Sequence, residues 1–250
     1  MKSLFLAWQA PNRAWFPVGR LDADVAQHRY HFGYTKGALQ AEHAVGFQPL
    51  PAFPEFDRTY ESSELFPLFQ NRVLDPGRKD FAAYLTSLDL PPSSADPIEI
   101  LAVSGGERQT DSLEVFPRIE SHRDGAFRCR FFLHGWRHMS AASQTRAMSL
   151  QPGEQLGVSL ELTNKAEQIA ILLTSSDYDF LGWTPRYLVK DLLKAISEKP
   201  SVTASVVRVN AADVPANRRV LVELTGTLPP GLQPMSAEEF QPLVPRQSTH

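Results

Sequence analysis

Five short segments in the second half of this chain are rich in β-branched and aromatic residues, and they restrict the possible folds more than any other feature. They lie at residues 127–136, 155–162, 169–176, 201–210 and 218–226. Such composition over a few residues is typical of strands. A single helical pattern interrupts the series. Five short strands with one helix predict a small, partly closed β-barrel.

The helical pattern follows a Gly-Trp step, with Thr184 as the expected N-cap and Pro185 at the first helical position. Apolar residues recur along one face, namely Leu188, Leu192, Ala195 and Ile196. The opposite face carries Arg186, Lys190 and Lys194, as an ordinary solvated helix would. Arg186 differs because it lies in the first turn, where backbone N–H groups favour an anion and a cation opposes the helix dipole. A bound phosphate would explain this arginine.

The first half of the chain indicates an antiparallel sheet with short helices. Strand-like sequence patterns occur at residues 3–10, 15–24, 28–39 and 112–117. Helical or turn patterns occur at residues 62–74, 78–90 and 96–106. Ser62 or Ser63 is the N-cap candidate of the first of these helices. A loop at 49–60 combines three prolines with three aromatic rings. It either docks a partner or covers the domain's own core.

These patterns predict an α+β protein of two domains. Residues 1–117 form an antiparallel sheet with two or three helices, and residues 118–228 form the small barrel with one main helix. Residues 229–250 are a Pro-rich tail or strap. The 20 prolines against 14 glycines indicate stiff, irregular connections and few long helices.

The charge of the chain is unevenly distributed. The net charge of −3 disfavours a protein that binds polyanions through bulk positive charge. Residues 118–146, however, contain six arginines against Glu120 and Asp124, which makes this segment +4. A basic segment inside an acidic protein indicates an anionic partner.

The predicted strand at 127–134 carries two of these arginines. Strand alternation predicts one apolar face (Phe127, Cys129, Phe131, Leu133) and one mixed face (Arg128, Arg130, Phe132, His134). The mixed face suits single-stranded nucleic acid, since cations contact phosphates and rings stack on bases. An ordinary solvated face is the alternative for Arg128 and Arg130. For Trp183 and Tyr187, packing at a barrel corner competes with base stacking.

Three blocks of the second half together resemble the HIRAN domain, and they follow the family's order. They are FFLHGWRHM (131–139), LGVSLELTNKAEQIAILL (156–173) and FLGWTPRYLVKDLL (180–193). The resemblance implies an OB-like barrel that binds single-stranded DNA or a DNA end. In the helicase-like member of the family the bound end is the 3′ end.

The resemblance also implies a set of site residues. By position, Trp136, Arg137, His138, Asn164, Lys165, Trp183, Arg186 and Tyr187 match the family's pocket segments. This chain has Ala166 and Glu167 where the family commonly has a tyrosine and an aspartate. The stacking ring is therefore missing at that point, while Glu167 retains an acceptor for a terminal hydroxyl.

The first half resembles the small N-terminal subdomain of HipA-type kinase toxins. The similar stretches are residues 15–21, 31–34, 65–78 and 100–117. No stretch resembles the kinase core, so no phosphotransfer machinery is implied. A detached subdomain of this kind can neutralise a separately encoded toxin. Two functions therefore remain open: a DNA-binding protein whose N-terminal domain contacts a kinase-like or DNA-processing partner, or an antitoxin-like module that binds a HipA-like kinase.

We expect neither catalysis nor a cofactor. Cys129 lies on the apolar side of its strand, which indicates an inert thiol. His134 and His138 would lie about 13 Å apart on a strand, too far to share a metal. A single cysteine fits a reducing cytoplasm. The chain shows no signal peptide and no apolar run of membrane-spanning length, so we expect no membrane partner.

Overall fold

The computed structural model of this chain describes residues 1–94, 96–164, 168–198 and 202–245. The chain packs as two compact units. The N-terminal unit contains Met1–Phe81, Ser94–Arg118 and the chain from Ser236 onward, and the C-terminal unit contains Ala82–Ser93 and Ile119–Met235. The predicted boundary at residue 117 lies beside one change of unit. The predicted domains were continuous in sequence, whereas in the structure residues 82–93 belong to the C-terminal unit.

The N-terminal unit is built on a five-stranded antiparallel sheet in the order β4-β3-β2-β1-β5. Its strands are β1 (Lys2–Gln9), β2 (Trp15–Asp24), β3 (Arg29–Tyr34), β4 (Tyr60–Ser62) and β5 (Leu113–Pro117). Its helices are α1 (Lys36–Val45), α2 (Pro67–Gln70) and α4 (Pro97–Ser104), while α3 (Phe81–Ser87) begins at the last residue of the first segment. Alternating apolar residues of β1, β2 and β3 form the core with Ala38, Ala41, Ile98 and Leu101.

The aromatic loop at 49–60 packs on the core of its own unit. The Phe53 ring is buried and stacks on the Phe32 ring with centroids 3.9 Å apart. The Tyr34 hydroxyl donates to the Phe53 carbonyl at 2.6 Å and accepts from the Leu50 N–H at 2.7 Å. Burial raises the pKa of Tyr34 to about 12. Of the two interpretations of this loop, core covering is therefore the one that its aromatic contacts support.

Two predicted elements of this unit were wrong in extent. The third strand ends at Tyr34, because helix-favouring residues from Lys36 onward form α1, which ends at Gly46 with a φ of 72°. The predicted helix at 62–74 shortens to α2, because Pro67 takes its first position and keeps the preceding Phe66 extended. Ser62 lies in β4 and caps no helix.

The segment after Ser236 is a strap on the N-terminal unit. Phe240 is buried, and its ring lies 5.1 Å from that of Phe5. Backbone hydrogen bonds join Lys36 N–H to the Gln241 carbonyl and Leu243 N–H to the Tyr34 carbonyl, both at 2.8 Å. The strap interpretation of the Pro-rich end therefore holds for residues 236–245, while residues 246–250 lie outside the described part of the chain.

The C-terminal unit contains a six-stranded antiparallel sheet in the order β6-β11-β10-β7-β8-β9. Its strands are β6 (Ala126–Phe132), β7 (Gln155–Asn164), β8 (Gln168–Thr174), β9 (Phe180–Trp183), β10 (Thr203–Val209) and β11 (Val220–Thr227). Two helices, α5 (Ala141–Ser149) and α6 (Arg186–Glu198), lie between strands. The sheet curls until His134, just past β6, pairs with Trp183 of β9. The predicted α+β class with a barrel-like domain is thereby confirmed.

Three details of this unit differ from the sequence predictions. Strand β9 was not predicted because it has only four residues, and helix α5 was not predicted because its sequence AASQTRAMS has one large apolar residue and so shows little periodicity. Helix α6 begins at Arg186, and the Thr184 hydroxyl is buried without a hydrogen bond, so Thr184 is not the expected side-chain cap. Phe132 is buried, although strand alternation placed it on the mixed face with Arg128 and Arg130.

None of the helices in the described ranges has the length and apolarity needed to cross a bilayer.

Arg72 connects three parts of the N-terminal unit through a buried guanidinium. Its side chain is 2% exposed. Its Nη1 donates to the carbonyls of Gly106 and Leu113 at 2.9 and 3.5 Å, and its Nη2 donates to Asp111 at 2.6 Å. These bonds attach the turn after α4 and the start of β5 to the end of α2. A buried cation of this kind is costly to remove, since its acceptors are left unpaired.

We predict that Arg72→Met lowers the free energy of unfolding by roughly 3 kcal/mol, because the three acceptors lose their donor. Urea unfolding followed by circular dichroism measures this change. Arg78→Met is the matched control, since Arg78 pairs with Asp80 at the exposed surface, and it should leave the midpoint unchanged. Equal midpoints for the two variants would contradict the assignment.

Candidate nucleic-acid interface

The edges of the curled sheet meet at a closing seam formed by His134, Gly135, Gly182 and Trp183. The backbone N–H groups of His134 and Trp183 donate to each other's carbonyls at 3.0 and 3.1 Å. Gly135 has a φ of 85°, and a Cβ there would lie 2.2 Å from the Trp183 ring. A Cβ on Gly182, whose φ is 138°, would lie 2.7 Å from the His134 carbonyl oxygen. Both glycines are therefore required by close approach as well as by backbone conformation.

Trp183 also connects this seam to the end of β7. Its indole Nε1 donates to Glu161 Oε2 at 2.6 Å, and Asn164 Nδ2 donates to the same oxygen at 2.8 Å. The Phe180 ring packs edge-on against Trp183 with centroids 4.5 Å apart. The three blocks identified in the sequence thus converge on one tryptophan. The sequence analysis did not identify Glu161 as a site residue. Its position three residues before the predicted site residue Asn164 was the signal that could have indicated it.

The 3-10 turn Trp136–His138 continues directly from the seam. Arg137 and His138 are exposed. The described residues provide Arg137 with neither a hydrogen bond nor an ion pair. Trp136 is half-buried, and the Arg219 guanidinium lies 5.4 Å from its ring centroid. One cation and one histidine are therefore presented to solvent beside the seam, with a partly covered indole between them and Gly135.

The start of α6 contributes less open surface than the sequence indicates. Arg186 is half-buried and has an interaction within the protein, so folding accounts for part of its placement. Tyr187 is 8% exposed, and its ring is therefore not available for stacking on a base. Lys165, together with Ala166 and Glu167, lies outside the described residues.

The predicted strand platform is exposed but already paired with acids. Arg130 Nε donates to Glu223 Oε2 at 2.9 Å, and Arg130 Nη1 lies 3.2 Å from Asp89 Oδ2. Arg128 Nε lies 3.7 Å from the other Glu223 oxygen. The sheet register causes this pairing, because β11 places Glu223 directly opposite Arg130. With Phe132 buried as well, the face lacks both the surplus charge and the ring expected of a platform.

The platform arginines are also set apart from the seam along the chain, although the predicted face itself reaches His134. Arg130 precedes Gly135 by five residues, which corresponds to about 16 Å along a strand. The basic segment that contains both is partly neutralised elsewhere too, since Arg146 pairs with Glu154 and lies 3.6 Å from Asp177. The hydrogen bond from Arg146 lowers the pKa of Glu154 below its ordinary value. Arg137 and His138 are thus the predicted residues that combine exposure with a place at the seam.

Cys129 lies in the interior of the C-terminal unit. It is 7% exposed, and burial together with the nearby Glu223 carboxylate raises its pKa to about 12. A thiol with such a pKa is protonated at neutral pH and is a poor nucleophile. Within the described residues, no cluster of three or more His, Cys, Asp or Glu side chains has the arrangement to hold a metal ion.

No family model and no curated protein sequence matches this chain. Among solved structures, it is similar to a structural genomics target from Lactobacillus plantarum, with 14% identity over 42% of this chain and 100% of that one, at a TM-score of 0.33. It is also similar to the HIRAN domain of human HLTF, with 15% identity over 44% of this chain and 77% of that one, at a TM-score of 0.30. The HipA-type resemblance stays a prediction.

We predict that Gly135→Ala lowers the free energy of unfolding by about 3 kcal/mol, because it adds a clash with Trp183 to the strain of a positive φ. Gly153→Ala separates these effects. Gly153 has a φ of 86° with no atom within 4 Å of its Cβ position, so only about 1 kcal/mol of strain is expected. Urea unfolding read by tryptophan fluorescence measures both, and equal losses would exclude a close Gly135–Trp183 contact.

We predict that Cys129 reacts with DTNB at about pH 8 at least 100-fold more slowly in the native protein than in guanidinium, since its thiolate fraction is minute and the sulfur is buried. The release of nitrothiobenzoate measures the rate. Because the pKa is raised by folding, stability should also decrease as the pH rises above about 9, where the unfolded thiol ionises. Rapid reaction of DTNB with Cys129 in the native protein would contradict this prediction, because it would show that the reagent reaches the interior.

Proposed function

We propose that the C-terminal unit binds single-stranded nucleic acid at the closing seam. The observation that carries this proposal is the exposed Arg137, which has no ion pair among the described residues and lies beside His138, where the three HIRAN-like blocks converge on Trp183. An exposed arginine without an ion pair attracts a phosphate and can bind two of its oxygens. The charge pairs on β6 leave the strand face less suited to this task.

The rings next to Arg137 supply the second element of single-strand binding. Trp136 and Trp183 are both half-buried, so each is anchored by the fold and keeps part of its ring accessible. Stacking of a base on an anchored ring contributes about 1–3 kcal/mol with little sequence preference. In this proposal Arg137 binds a phosphate of the nucleic-acid backbone, and the indoles of Trp136 and Trp183 contact bases. The Glu161 carboxylate orients Trp183 and Asn164 and does not contact nucleic acid itself.

More specifically, we propose that the bound nucleic acid is DNA and that the protein recognises the end of the strand. It rests on the HIRAN resemblance, in which single-stranded DNA ends, and 3′ ends in particular, are the ligands. We further propose that the protein binds without catalysing a reaction, consistent with its buried, protonated Cys129. The N-terminal unit would then contact a DNA-processing partner. The antitoxin-like alternative gains no specific support, since the aromatic loop at 49–60 covers its own core.

Fluorescence anisotropy with a labelled oligothymidine tests the proposal. We expect binding that weakens steeply between about 50 and 200 mM salt. Arg137→Ala should weaken binding by about tenfold and reduce the slope of log affinity against log salt by about 0.7, the value for one phosphate on a single strand. Arg108→Ala removes an exposed arginine of the N-terminal unit and should change neither quantity.

Two outcomes count against this function. Absence of binding at low salt would falsify nucleic-acid recognition as a whole, and an unchanged salt slope in Arg137→Ala would move the interface away from the seam. End recognition is tested separately by comparing oligonucleotides that end in a 3′ hydroxyl or a 3′ phosphate. Equal affinities would remove the end from the proposal and leave single-strand binding intact.

A further inference from the structure

The C-terminal unit has an open cleft of about 400 Å³ between the chain after α5 and the end of β10. Its lining residues are mixed: Met148, Leu150, Pro152, Val207 and Val209 are apolar, and Gln151, Arg208 and Asn210 are polar. At this cleft β10 is irregular between Val206 and Arg208, and Val207 has no register partner on β11. Such an irregularity bends a strand and ends its pairing with a neighbour. Beyond Ser205, β10 has no further register partner on β7.

The charge of this cleft comes from Arg208, the one ionisable side chain in its wall. Arg208 Nε lies 3.8 Å from Asp89, and Arg130 already occupies the other oxygen of that carboxylate at 3.2 Å. Arg128 and Arg130 share Glu223 in addition. The connected group thus holds three arginines and two acids, a surplus of one positive charge. This surplus is available at the cleft through Arg208.

The guanidinium of Arg208 is also short of acceptors. Its Nε is buried and has no hydrogen bond, and among the described residues the long contact with Asp89 is its ion pair. A buried donor without an acceptor is rare in folded proteins and indicates a missing water, ion or ligand. A guanidinium that is about one-third exposed can turn toward an anion that enters the cleft.

We propose that this cleft binds a small amphipathic organic anion, with a carboxylate or sulfonate on Arg208 and an apolar body against Met148, Val207 and Val209. The volume lies in the range of small-molecule sites, which combine apolar side chains with a small number of polar groups that fix the orientation of the ligand. The site is distinct from the seam and does not depend on nucleic-acid binding. Small organic anions would therefore bind to the full-length protein without competing for Arg137.

Fluorescence titration of the full-length protein with anilinonaphthalene sulfonate tests the site, because this probe combines an aromatic body with one anionic group. Arg208→Gln should weaken its binding by about tenfold, as expected for loss of a charge-assisted hydrogen bond. Arg208→Lys should restore most of the affinity. The neutral analogue phenylnaphthylamine should bind wild type and Arg208→Gln alike. Arg123→Gln removes an exposed arginine outside the cleft wall and should have no effect.

The location is tested in the unaltered protein with carbon-13 methyl-labelled methionine. Met148 borders the cleft and is 37% exposed, whereas Met139 and Met235 are buried. The probe should shift the methyl signal of Met148 and leave the signals of the two buried methionines unchanged. The Met148→Leu variant assigns the Met148 signal. Probe binding without a Met148 shift, or equal affinity in Arg208→Gln, would overturn the proposal. A Met148 shift produced instead by oligothymidine would make the cleft part of a nucleic-acid surface and would also overturn it.

Discussion

The closing of the C-terminal sheet at Trp183 is the constraint on which the candidate interface depends. The backbone pair with His134 brings the two sheet edges together, and the glycines at 135 and 182 permit the approach. The indole then uses its N–H to hold Glu161, which in turn accepts from Asn164. Because these contacts come from β9, the end of β7 and the segment after β6, loss of the seam would separate all three parts of the site at once.

Charge pairing decides which basic residues remain available to a ligand. Arg128 and Arg130 face Glu223 and Asp89, which come from distant parts of the sequence, and Arg146 faces Glu154, eight residues along the chain. Surface pairs of this kind add little stability, but they remove net positive charge from the face that carries them. Arg137 at the seam and Arg208 at the cleft lack full compensation. Of the arginines at the strand platform, the seam and the cleft, these two therefore retain positive charge for a ligand.

Sequence patterns predicted most elements, and the reasons for the failures are physical. The five strands and α6 were recognised because each is long enough for β-branched content or helical periodicity to be visible. Strand β9 has only four residues, and α2 is cut short by Pro67. The segment at 82–93 shows no compositional break, yet its Ser87 carbonyl accepts from Asn210 and places it in the C-terminal unit. Contacts between residues so distant in sequence leave no local signal.

By itself, the sequence determined the α+β class and the buried position of Cys129, because local composition and strand alternation encode both. The grouping of the seam glycines with Trp183 came from the resemblance to the HIRAN domain. Only the tertiary structure decided that Tyr187 and Phe132 are buried, that Glu161 orients Trp183, and that acids neutralise the arginines of β6. Sheet curvature and register set these outcomes. Both depend on which residues lie opposite each other across strands, and that information is absent from any single segment.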